Sequence, residues 1–388
     1  MSRLPLVLTD QLLIDRIRYF MTVFFPRFGG MVEEPATRNL RGNRPMKYRI
    51  TEFLGDGVGP ELSEAVHAIA GALPCEVTFE QVDLSLENRN AQGRALYDAA
   101  YESIRSTGVA LKHPTITERE SPNAVLRKMC NFTVIHRPVM SIPGVKSNFV
   151  QKLDLDIIRV ATGGTYQDPG QLLGSDVAVS LRIVERGTAR SAAVYAFNLA
   201  RRLGCNVTST SKWTIQRATD GLFEEVVREV AREYPDVPHA QELFDALLAK
   251  IVMKPKDFRV IILLNEYGDF LSDMACGLVG SLGIGASGSF SFLPDGRADL
   301  AMFDAAHGTA PDIAGKGLVN PTAILLSFAQ LLTFVGETTL GQTLRQVILD
   351  ELAAGRTTVD LGGSLSTMGF TEGVKTEVLR RLQHRARS

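Results

Sequence analysis

Hydrophobic and polar positions alternate along the chain with two different periods, and together they predict an α/β protein. The run at 48–54 (YRITEFL) predicts a strand, and the following segment places Leu62, Val66, Ile69 and Leu73 on one helical face. The pattern predicts further strands at 132–135, 155–160 and 259–264, and helices at 188–203, 219–233 and 239–252. This alternation favours a mostly parallel sheet with helices on its faces.

Regular patterning begins only after residue 46, so the first 46 residues are expected to form an extension outside the globular fold. Their aromatic and aliphatic run, 19–25, is far shorter than the roughly 20 apolar residues of a membrane span. A clean signal-peptide core and cleavage site are also missing. The alternatives are a targeting segment, a loosely attached extension, or a translation start placed too early, since Met31 and Met46 offer later starts.

Charge and cysteine content narrow the class of protein. Lys and Arg number 42 and Asp and Glu 43, which gives a formal net charge of −1. Such a balance argues against a protein held on nucleic acid or on an anionic membrane by net charge. The four cysteines are scattered without a CxxC pair, so a reduced, intracellular, cytoplasmic protein is expected.

The segment Gly283–Gly288 matches the dinucleotide-binding pattern GxGxxG, but its context is wrong. That motif requires a preceding strand and a following helix. Here a helix-like stretch (273–282) precedes the glycines and Ser-Phe-Ser-Phe follows them. The segment is therefore interpreted as a glycine-rich turn and not as a Rossmann fingerprint.

Three polar segments carry candidate chemistry. The first, 265–273 (NEYGDFLSD), follows a predicted strand and places Asp269 and Asp273 four residues apart, on one face of a helix start. Two converging carboxylates suit Mg²⁺ or Mn²⁺, although helix-dipole complementation explains the pair equally well.

The second segment begins at Ser121 and Asn123 and leads to three arginines, Arg127, Arg137 and Arg159, near predicted strand ends. A guanidinium fork matches the geometry of a carboxylate, so the three arginines suit a substrate with several carboxylates. For any single one of them, a surface ion pair is the ordinary alternative.

The third segment, 307–316 (HGTAPDIAGK), is a glycine-containing loop with exposed amides and an acid. Such a loop can hold a nucleotide, and the acid can pair with ribose hydroxyls and repel a 2′-phosphate. The spacing alone leaves its purpose open.

Taken together, these segments closely resemble the β-decarboxylating dehydrogenases, which include isocitrate, isopropylmalate, homoisocitrate and tartrate dehydrogenases. The resemblance covers residues 48 to about 385 and is carried by GDGVGPE (55–61), SPNAVLRK (121–128), RP (137–138), Arg159, Lys212, NEYGDFLSD (265–273) and HGTAPDIAGKGLVNPTA (307–323). It implies the isocitrate/isopropylmalate dehydrogenase-like α/β fold of two domains with a mixed, mostly parallel sheet, which is not a Rossmann fold.

The resemblance also implies a role for each matching residue. Substrate carboxylates would bind Ser121, Asn123, Arg127, Arg137 and Arg159, while Tyr166 would protonate the enol carbon and Lys212 would serve in removing the hydroxyl proton. Mg²⁺ or Mn²⁺ would be held by Asp245, Asp269 and Asp273, with Lys212 and Asp245 supplied by a second subunit. NAD would bind Thr117, His307, Gly308, Thr309, Ala310, Pro311, Asp312, Ile313 and Asn320. Asp312 followed by Ile313 favours NAD over NADP.

The implied domains are a large one from 47–132 and 287–388 and a small one at 133–286, whose arm at about 163–185 forms the contact of a homodimer.

The expected reaction is NAD-linked oxidative decarboxylation of a small 2-hydroxy acid, with isocitrate as the first choice. Homoisocitrate, isopropylmalate or a related acid is the runner-up, and a non-catalytic regulatory subunit is the alternative of another class.

The chain departs from the family pattern near the expected substrate. Residues 160–164 read VATGG where Glu-Asn-Thr-Glu-Gly is usual, Thr214 stands where Asn is usual, and Asp304 stands where Glu is usual. These differences bear on the choice of substrate and leave the metal carboxylates and the Lys212–Tyr166 pair unchanged.

Overall fold

The computed structural model describes residues 46–118 and 120–387. Apart from Met46, the predicted extension lies outside these residues. The strands in the described ranges are β1 (Lys47–Leu54), β2 (Glu76–Asp83), β3 (Val109–Lys112), β4 (Val134–Met140), β5 (Asp154–Val160), β6 (Gln171–Leu173), β7 (Val177–Val179), β8 (Val207–Ser211), β9 (His239–Leu243), β10 (Val260–Leu263), β11 (Ala286–Phe292) and β12 (Ala298–Ala305).

The α-helices of the same ranges cover both faces of the sheet. They are α1 (Gly59–Ala70), α2 (Leu86–Gln92), α3 (Arg94–Thr107), α4 (Pro122–Met129), α5 (Arg186–Leu203), α6 (Thr219–Glu233), α7 (Phe244–Met253), α8 (Asn265–Val279), α9 (Thr322–Phe334), α10 (Thr338–Ala353) and α11 (Thr367–Arg387). Within the described part of the chain, no helix is both long enough and apolar enough to span a membrane.

Ten strands form one sheet in the order β2-β1-β3-β12-β11-β4-β5-β10-β8-β9, and β6 and β7 form a separate hairpin. The antiparallel pairs of the large sheet are β12–β11, β11–β4 and β4–β5, and its other neighbouring strands are parallel. The predicted mixed, mostly parallel α/β sheet is confirmed.

The sheet divides at the β11–β4 pair, where Ser289 lies opposite Ile135. Strands from both ends of the chain lie on one side of this pair, and strands from the middle of the chain lie on the other. The predicted domain boundaries fall close to this pair. Because the hydrogen-bonded sheet runs through it without a break, the division into two domains stays a prediction.

The sequence of helix α1 explains where the helix begins and which of its faces is buried. Pro60 lies in its first turn, where a missing N–H costs nothing, and Leu62, Val66 and Ile69 form its buried face. The helix ends at Ala70, so Leu73 packs into the core from the following turn and not from the helix. The predicted helix at 219–233 is observed as α6, and the one at 188–203 begins two residues earlier as α5.

The predicted helix at 239–252 is partly wrong. Its first five residues form the edge strand β9, which pairs in parallel with β8, and helix α7 begins only at Phe244. The sequence His239–Leu243 has no strong strand pattern, and pairing with β8 decides its conformation. The predicted strand at 132–135 is likewise displaced, since β4 covers Val134–Met140.

The glycine-rich segment 283–288 was predicted to be a turn, but only its first part is one. A 3₁₀ turn at Leu282–Ile284 leads directly into strand β11, which begins at Ala286 and contains Gly288. A strand follows the glycines and a helix does not, so the segment lacks the context of a dinucleotide-binding motif.

Candidate active site

A cavity of about 280 Å³ opens between the ends of β3, β5 and β12, strand β4 and helices α4 and α8. Eight of the predicted substrate, catalytic and metal residues line it: Ser121, Asn123, Arg127, Arg137, Arg159, Tyr166, Asp269 and Asp273. Two predicted nucleotide-loop residues, His307 and Gly308, line the same cavity. The fold therefore brings together segments that are up to about 190 positions apart in the sequence.

Asp269 is the centre of the ionic contacts in this cavity. Its Oδ1 accepts hydrogen bonds from Nη1 of Arg159 and, at 3.2 Å, from Nη1 of Arg137. Asp273, one turn later on α8, lies 3.6 Å from the same Arg137 atom. The helix begins at Asn265, so the two aspartates lie in its second and third turns and not at the predicted helix start. Both nevertheless line the cavity from one helix face.

The environment shifts the pKa values of these carboxyl groups in opposite directions. Burial raises the pKa of Asp273 above its usual value. Burial also acts to raise the pKa of Asp269, but Arg159 and then Arg137 outweigh it, so that pKa is lowered. Asp269 is thus the more firmly ionised of the two at neutral pH.

The unusual loop after β5 is fixed by Asn265 and Glu266. Nε of Arg159 donates to Oδ1 of Asn265 at 2.9 Å, and Nδ2 of Asn265 donates to the carbonyl of Gly163 at 3.2 Å. Gly164 has φ +68, and a Cβ there would lie 1.8 Å from Oε2 of Glu266. The VATGG sequence therefore forms a tight turn against the start of α8, which side chains at 164 would prevent.

Tyr166 follows this turn and is about half exposed, with its ring facing the cavity. Its hydroxyl donates to Oδ2 of Asp269 at 3.3 Å, and the guanidinium of Arg159 lies 5.9 Å from its ring centroid. Burial, and then the negative charge of Asp269, raise the pKa of Tyr166. The phenol therefore stays protonated at neutral pH and is able to donate a proton.

Six buried polar atoms on the cavity wall have no hydrogen-bond partner in the described residues. They are Nδ1 of His113, Oδ1 of Asn123, Nε of Arg127, Nε of Arg137, Oδ1 of Asp304 and Nε2 of His307. Buried polar groups are normally satisfied, because an unmade hydrogen bond costs about 1–3 kcal/mol. Their occurrence in residues that line one cavity is what a site built for a highly polar ligand would show.

Lys212 and Asp245 do not line this cavity. Lys212 follows β8, where its backbone N–H donates to Oδ2 of Asp220 at 2.7 Å, and Asp245 lies in the first turn of α7. Nζ of Lys212 donates to Oδ1 of Asp245 at 2.8 Å, and the Asp245 side chain is 68% exposed. This hydrogen bond lowers the pKa of Asp245. Within the described residues, no group of three His, Cys, Asp or Glu side chains is arranged to hold a metal ion.

The nucleotide-loop candidates extend from the cavity along the first turn of α1. The carboxylate of Glu61 accepts from the backbone N–H groups of Gly315 at 3.0 Å and Gly317 at 2.6 Å, which fixes the loop. Gly57 has φ +60, and a Cβ there would lie 2.1 Å from the carbonyl oxygen of Thr309. The predicted motif GDGVGPE thus supports the loop structurally.

The other predicted cofactor residues are spread over a wider surface. Asp312 is exposed, and Nζ of Lys316 donates to its backbone carbonyl oxygen at 2.7 Å. Asn320 is buried and donates to Oδ2 of Asp360 at 3.0 Å. Thr117 is exposed and is not on the cavity wall.

Sequence reasoning missed Lys112 and His113 as site residues. Nζ of Lys112 donates to the carbonyl of His113 at 2.9 Å and to Oγ1 of Thr115 at 3.1 Å, and burial lowers its pKa to about 8. His113 is fully buried and pairs with the carboxylate of Glu52 at 2.9 Å. The sequence did contain one signal for this site, namely a lysine at the end of a short apolar strand. Burying a charged side chain there costs free energy unless the charge has a function or a partner.

Comparison with known proteins identifies the family. The sequence profile described as "Isocitrate/isopropylmalate dehydrogenase" matches residues 49–377. This chain belongs to the isocitrate/isopropylmalate dehydrogenase family. A crystal structure of isocitrate dehydrogenase from Methylococcus capsulatus is similar with a TM-score of 0.80 at 32% identity, covering 86% of this chain and 99% of that one. The predicted family and fold are confirmed.

Two curated relatives bear on function and location. "Isocitrate dehydrogenase [NAD] subunit 2, mitochondrial" of Schizosaccharomyces pombe is 35% identical over 90% of this chain and 93% of its own length. A mitochondrial protein of Dictyostelium discoideum, named as a regulatory subunit of NAD isocitrate dehydrogenase, is 32% identical over 89% of this chain and 96% of its own length. Because these relatives are named as mitochondrial, the prediction of a cytoplasmic protein is wrong.

Proposed function

We propose that this member of the isocitrate/isopropylmalate dehydrogenase family is an NAD-dependent decarboxylating dehydrogenase that converts isocitrate to 2-oxoglutarate with Mg²⁺ or Mn²⁺. The observation that carries the proposal is the cavity in which Arg127, Arg137 and Arg159 converge beside unpartnered polar atoms. Isocitrate has three carboxylates at neutral pH, and its charge is complementary to three guanidinium groups.

The donor groups fit a divalent cation and a dinucleotide. Asp269 and Asp273 offer carboxylate oxygens from one helix face, which Mg²⁺ and Mn²⁺ prefer, and Asp245 of a second subunit would complete the set. The unpartnered Nε2 of His307 and the exposed Asp312 carboxylate suit the adenosine part of NAD. When bound, NAD accepts the hydride and the cation supplies positive charge beside the oxidised oxygen.

In the proposed reaction, some side chains orient the substrate and others transfer its protons. Arg127, Arg137 and Arg159 orient the carboxylates, and Lys212 of a second subunit takes the proton of the substrate hydroxyl. After carbon dioxide leaves, Tyr166 donates its phenol proton to the carbon that carried the lost carboxylate. Its raised pKa suits it to this role, since the proton is present throughout the neutral range.

Isocitrate is favoured over isopropylmalate by the residues at the start of α4. Ser121 and Asn123 line the cavity, and both are small and polar. An isopropyl group offers these two residues no hydrogen-bond partner, whereas a third carboxylate would accept hydrogen bonds from the Ser121 hydroxyl and from Nδ2 of Asn123. Homoisocitrate, which differs by one methylene group, remains the second candidate.

Assembly with a second subunit of this family is part of the proposal. The hairpin β6–β7 and its flanks expose Leu172, Leu173, Val177 and Leu181, although an isolated hairpin is not stable in water. This agrees with the predicted arm at 163–185 as a contact between subunits. The relatives are named as subunits, so the second chain is either a copy of this one or a different family member.

A regulatory subunit is the competing function, because one relative carries that name. Such a subunit needs to bind effectors and not to transfer protons. The hydrogen bond from Tyr166 to Asp269, and the presence of Lys212 and all three carboxylates, favour a catalytic chain.

The test is reduction of NAD by the purified protein with Mn²⁺ and each of isocitrate, homoisocitrate, isopropylmalate and tartrate, with NADP as a parallel cofactor. We expect turnover with isocitrate and NAD. Binding of isocitrate without turnover for any of the four acids would support the regulatory function and contradict the proposed catalysis.

A further inference from the structure

A second cavity, of about 340 Å³, lies on the opposite face of the large sheet, and we call it the rear cavity. On β4, Arg137 lines the active-site cavity, whereas its neighbours His136 and Pro138 line the rear cavity. On β12, Asp304 and Phe303 divide in the same way. Since successive side chains of a strand point to opposite faces, the two cavities are separated by the sheet itself.

The interior of the rear cavity is aromatic. Phe290, Phe303 and Phe334 are buried, with ring centroids 5.7 Å apart for Phe290–Phe303 and for Phe303–Phe334. Tyr195 stacks on Phe290 at 5.7 Å. Small-molecule sites in proteins typically enclose about 300–1,000 Å³ and combine such a lining with a few placed polar groups. The rear cavity therefore suits a ligand with an apolar body.

The carboxylates that line the rear cavity are already paired. Asp156 contacts Nη1 of Arg259 at 2.7 Å and Nε2 of His136 at 2.7 Å, and Asp154 contacts the same arginine atom at 3.0 Å. The second ring nitrogen of His136 is hydrogen-bonded to the Tyr195 hydroxyl at 3.0 Å. A cationic ligand thus finds no carboxylate on this wall without a partner.

Arg345 provides the opposite charge at the cavity mouth. It lines the rear cavity from helix α10, remains exposed, and donates to Sδ of Met140 at 3.0 Å. A thioether is a weak acceptor, and among the described residues no carboxylate lies within ion-pair distance of Arg345, although Asp154 and Asp156 attract its charge from farther away. Its guanidinium fork is therefore open to an anion.

We propose that the rear cavity binds a small amphipathic monocarboxylate, with the carboxylate on Arg345 and the alkyl or aryl body against Phe290, Phe303 and Phe334. Isocitrate has no apolar body and does not suit this lining. The rear site is thus distinct from the active site, and its existence does not depend on the proposed dehydrogenase activity.

The test is calorimetric titration of the full chain with octanoate, with octan-1-ol as the neutral probe of similar shape. We expect saturable octanoate binding that weakens about tenfold in Arg345→Gln, while octan-1-ol binding is unchanged. Arg380→Gln is the matched control, because Arg380 is exposed on α11 and pairs with Glu377 away from the cavity. It should bind octanoate like the wild type.

A second variant, Leu349→Trp, places bulk in the cavity wall and should abolish binding of both probes, with the fold checked by circular dichroism and Tm. The active-site arginines are the competing anion site, which Arg127→Gln would remove. Octanoate binding lost in Arg127→Gln but kept in Arg345→Gln would overturn the proposal. Absence of binding to the folded wild type at millimolar octanoate would overturn it as well.

Discussion

Nζ of Lys212 donates to Oδ1 of Asp245 at 2.8 Å, and neither side chain lines the cavity that contains Tyr166. Lys212, the predicted base, and Asp245, the predicted third metal ligand, therefore pair with each other outside this cavity. If each site is completed by a neighbouring subunit, this pair enters the partner's cavity. The arrangement gives the most direct test of a shared active site.

Variants of the two proposed proton carriers should complement each other in mixed assemblies. Lys212→Met and Tyr166→Phe should each lower kcat by about 10²–10⁴-fold, because each removes a group that transfers a proton. A hybrid dimer of the two chains contains one intact site and should regain much of the activity. Co-expression with two different affinity tags, followed by kinetics on the doubly selected hybrid, measures this.

The hybrid remaining as inactive as its parents would contradict sites shared between copies of this chain. Hybrids of either variant with wild type serve as the reference, since they retain one functional site in every arrangement. Recovery only when a different family member is added would instead indicate a hetero-oligomer.

Asn123 should control the choice between tricarboxylate and isopropyl-bearing substrates. Asn123→Ala should lower kcat/KM for isocitrate about tenfold or more, because it removes a polar group from the cavity wall. The value for isopropylmalate should fall less or rise. The measurement is kcat/KM for both acids, with Asn90→Ala, at an exposed position of α2, as a control. An equal loss for both substrates would show that Asn123 does not select between them.

Asp273→Asn should weaken Mn²⁺ binding directly, independently of turnover. The substitution removes a negative oxygen donor and leaves a side chain of similar size, so the affinity for Mn²⁺ in the presence of isocitrate should fall at least tenfold. Electron paramagnetic resonance of free Mn²⁺ measures this. Asp295→Asn, an exposed carboxylate paired with Arg297, should behave like wild type. Unchanged Mn²⁺ affinity in Asp273→Asn would remove this residue from the metal site.

Gly57 should be required for the nucleotide loop. Gly57 has φ +60, and a Cβ at this position would lie 2.1 Å from the Thr309 carbonyl oxygen. Gly57→Ala should therefore displace the loop. We expect a loss of about 1–3 kcal/mol of stability and a raised KM for NAD. Gly187→Ala is the control, because a Cβ there meets nothing within 4 Å. Urea unfolding and initial rates measure the two effects, and an unchanged KM would contradict the role of the turn.

Glu224 should make stability decrease as pH rises towards neutral. Burial raises its pKa from 4.5 to about 7, even though Ser209 and Ser211 donate hydrogen bonds of 2.7 Å to its carboxylate. Between these values the folded chain holds a proton that the unfolded chain has lost, so the free energy of unfolding falls with increasing pH. The expected loss is about 3 kcal/mol and is complete above the folded pKa.

Glu224→Gln should remove this slope, whereas the exposed Glu225→Gln should keep it. Urea unfolding at several pH values from 5 to 8, compared between wild type and each variant, tests the assignment. Equal slopes for wild type and Glu224→Gln would contradict the raised pKa.

The sequence by itself determined the family, the class of fold and the identity of most candidate site residues. These depend on local periodicity and on motifs such as NEYGDFLSD, in which residue type and spacing are sufficient. Where local preference was weak, prediction failed. His239–Leu243 is a strand only because β8 offers a hydrogen-bonding edge.

Only the tertiary structure decided which residues share a site. Arg127, Arg159 and Asp269 lie far apart in the sequence and meet because parallel and antiparallel strands end around one cavity. Lys112 and His113 became visible in the same way, since burial and their partners give them their character. The separation of Lys212 and Asp245 from that cavity, and the rear cavity behind the sheet, depend on packing between distant segments, which no local pattern encodes.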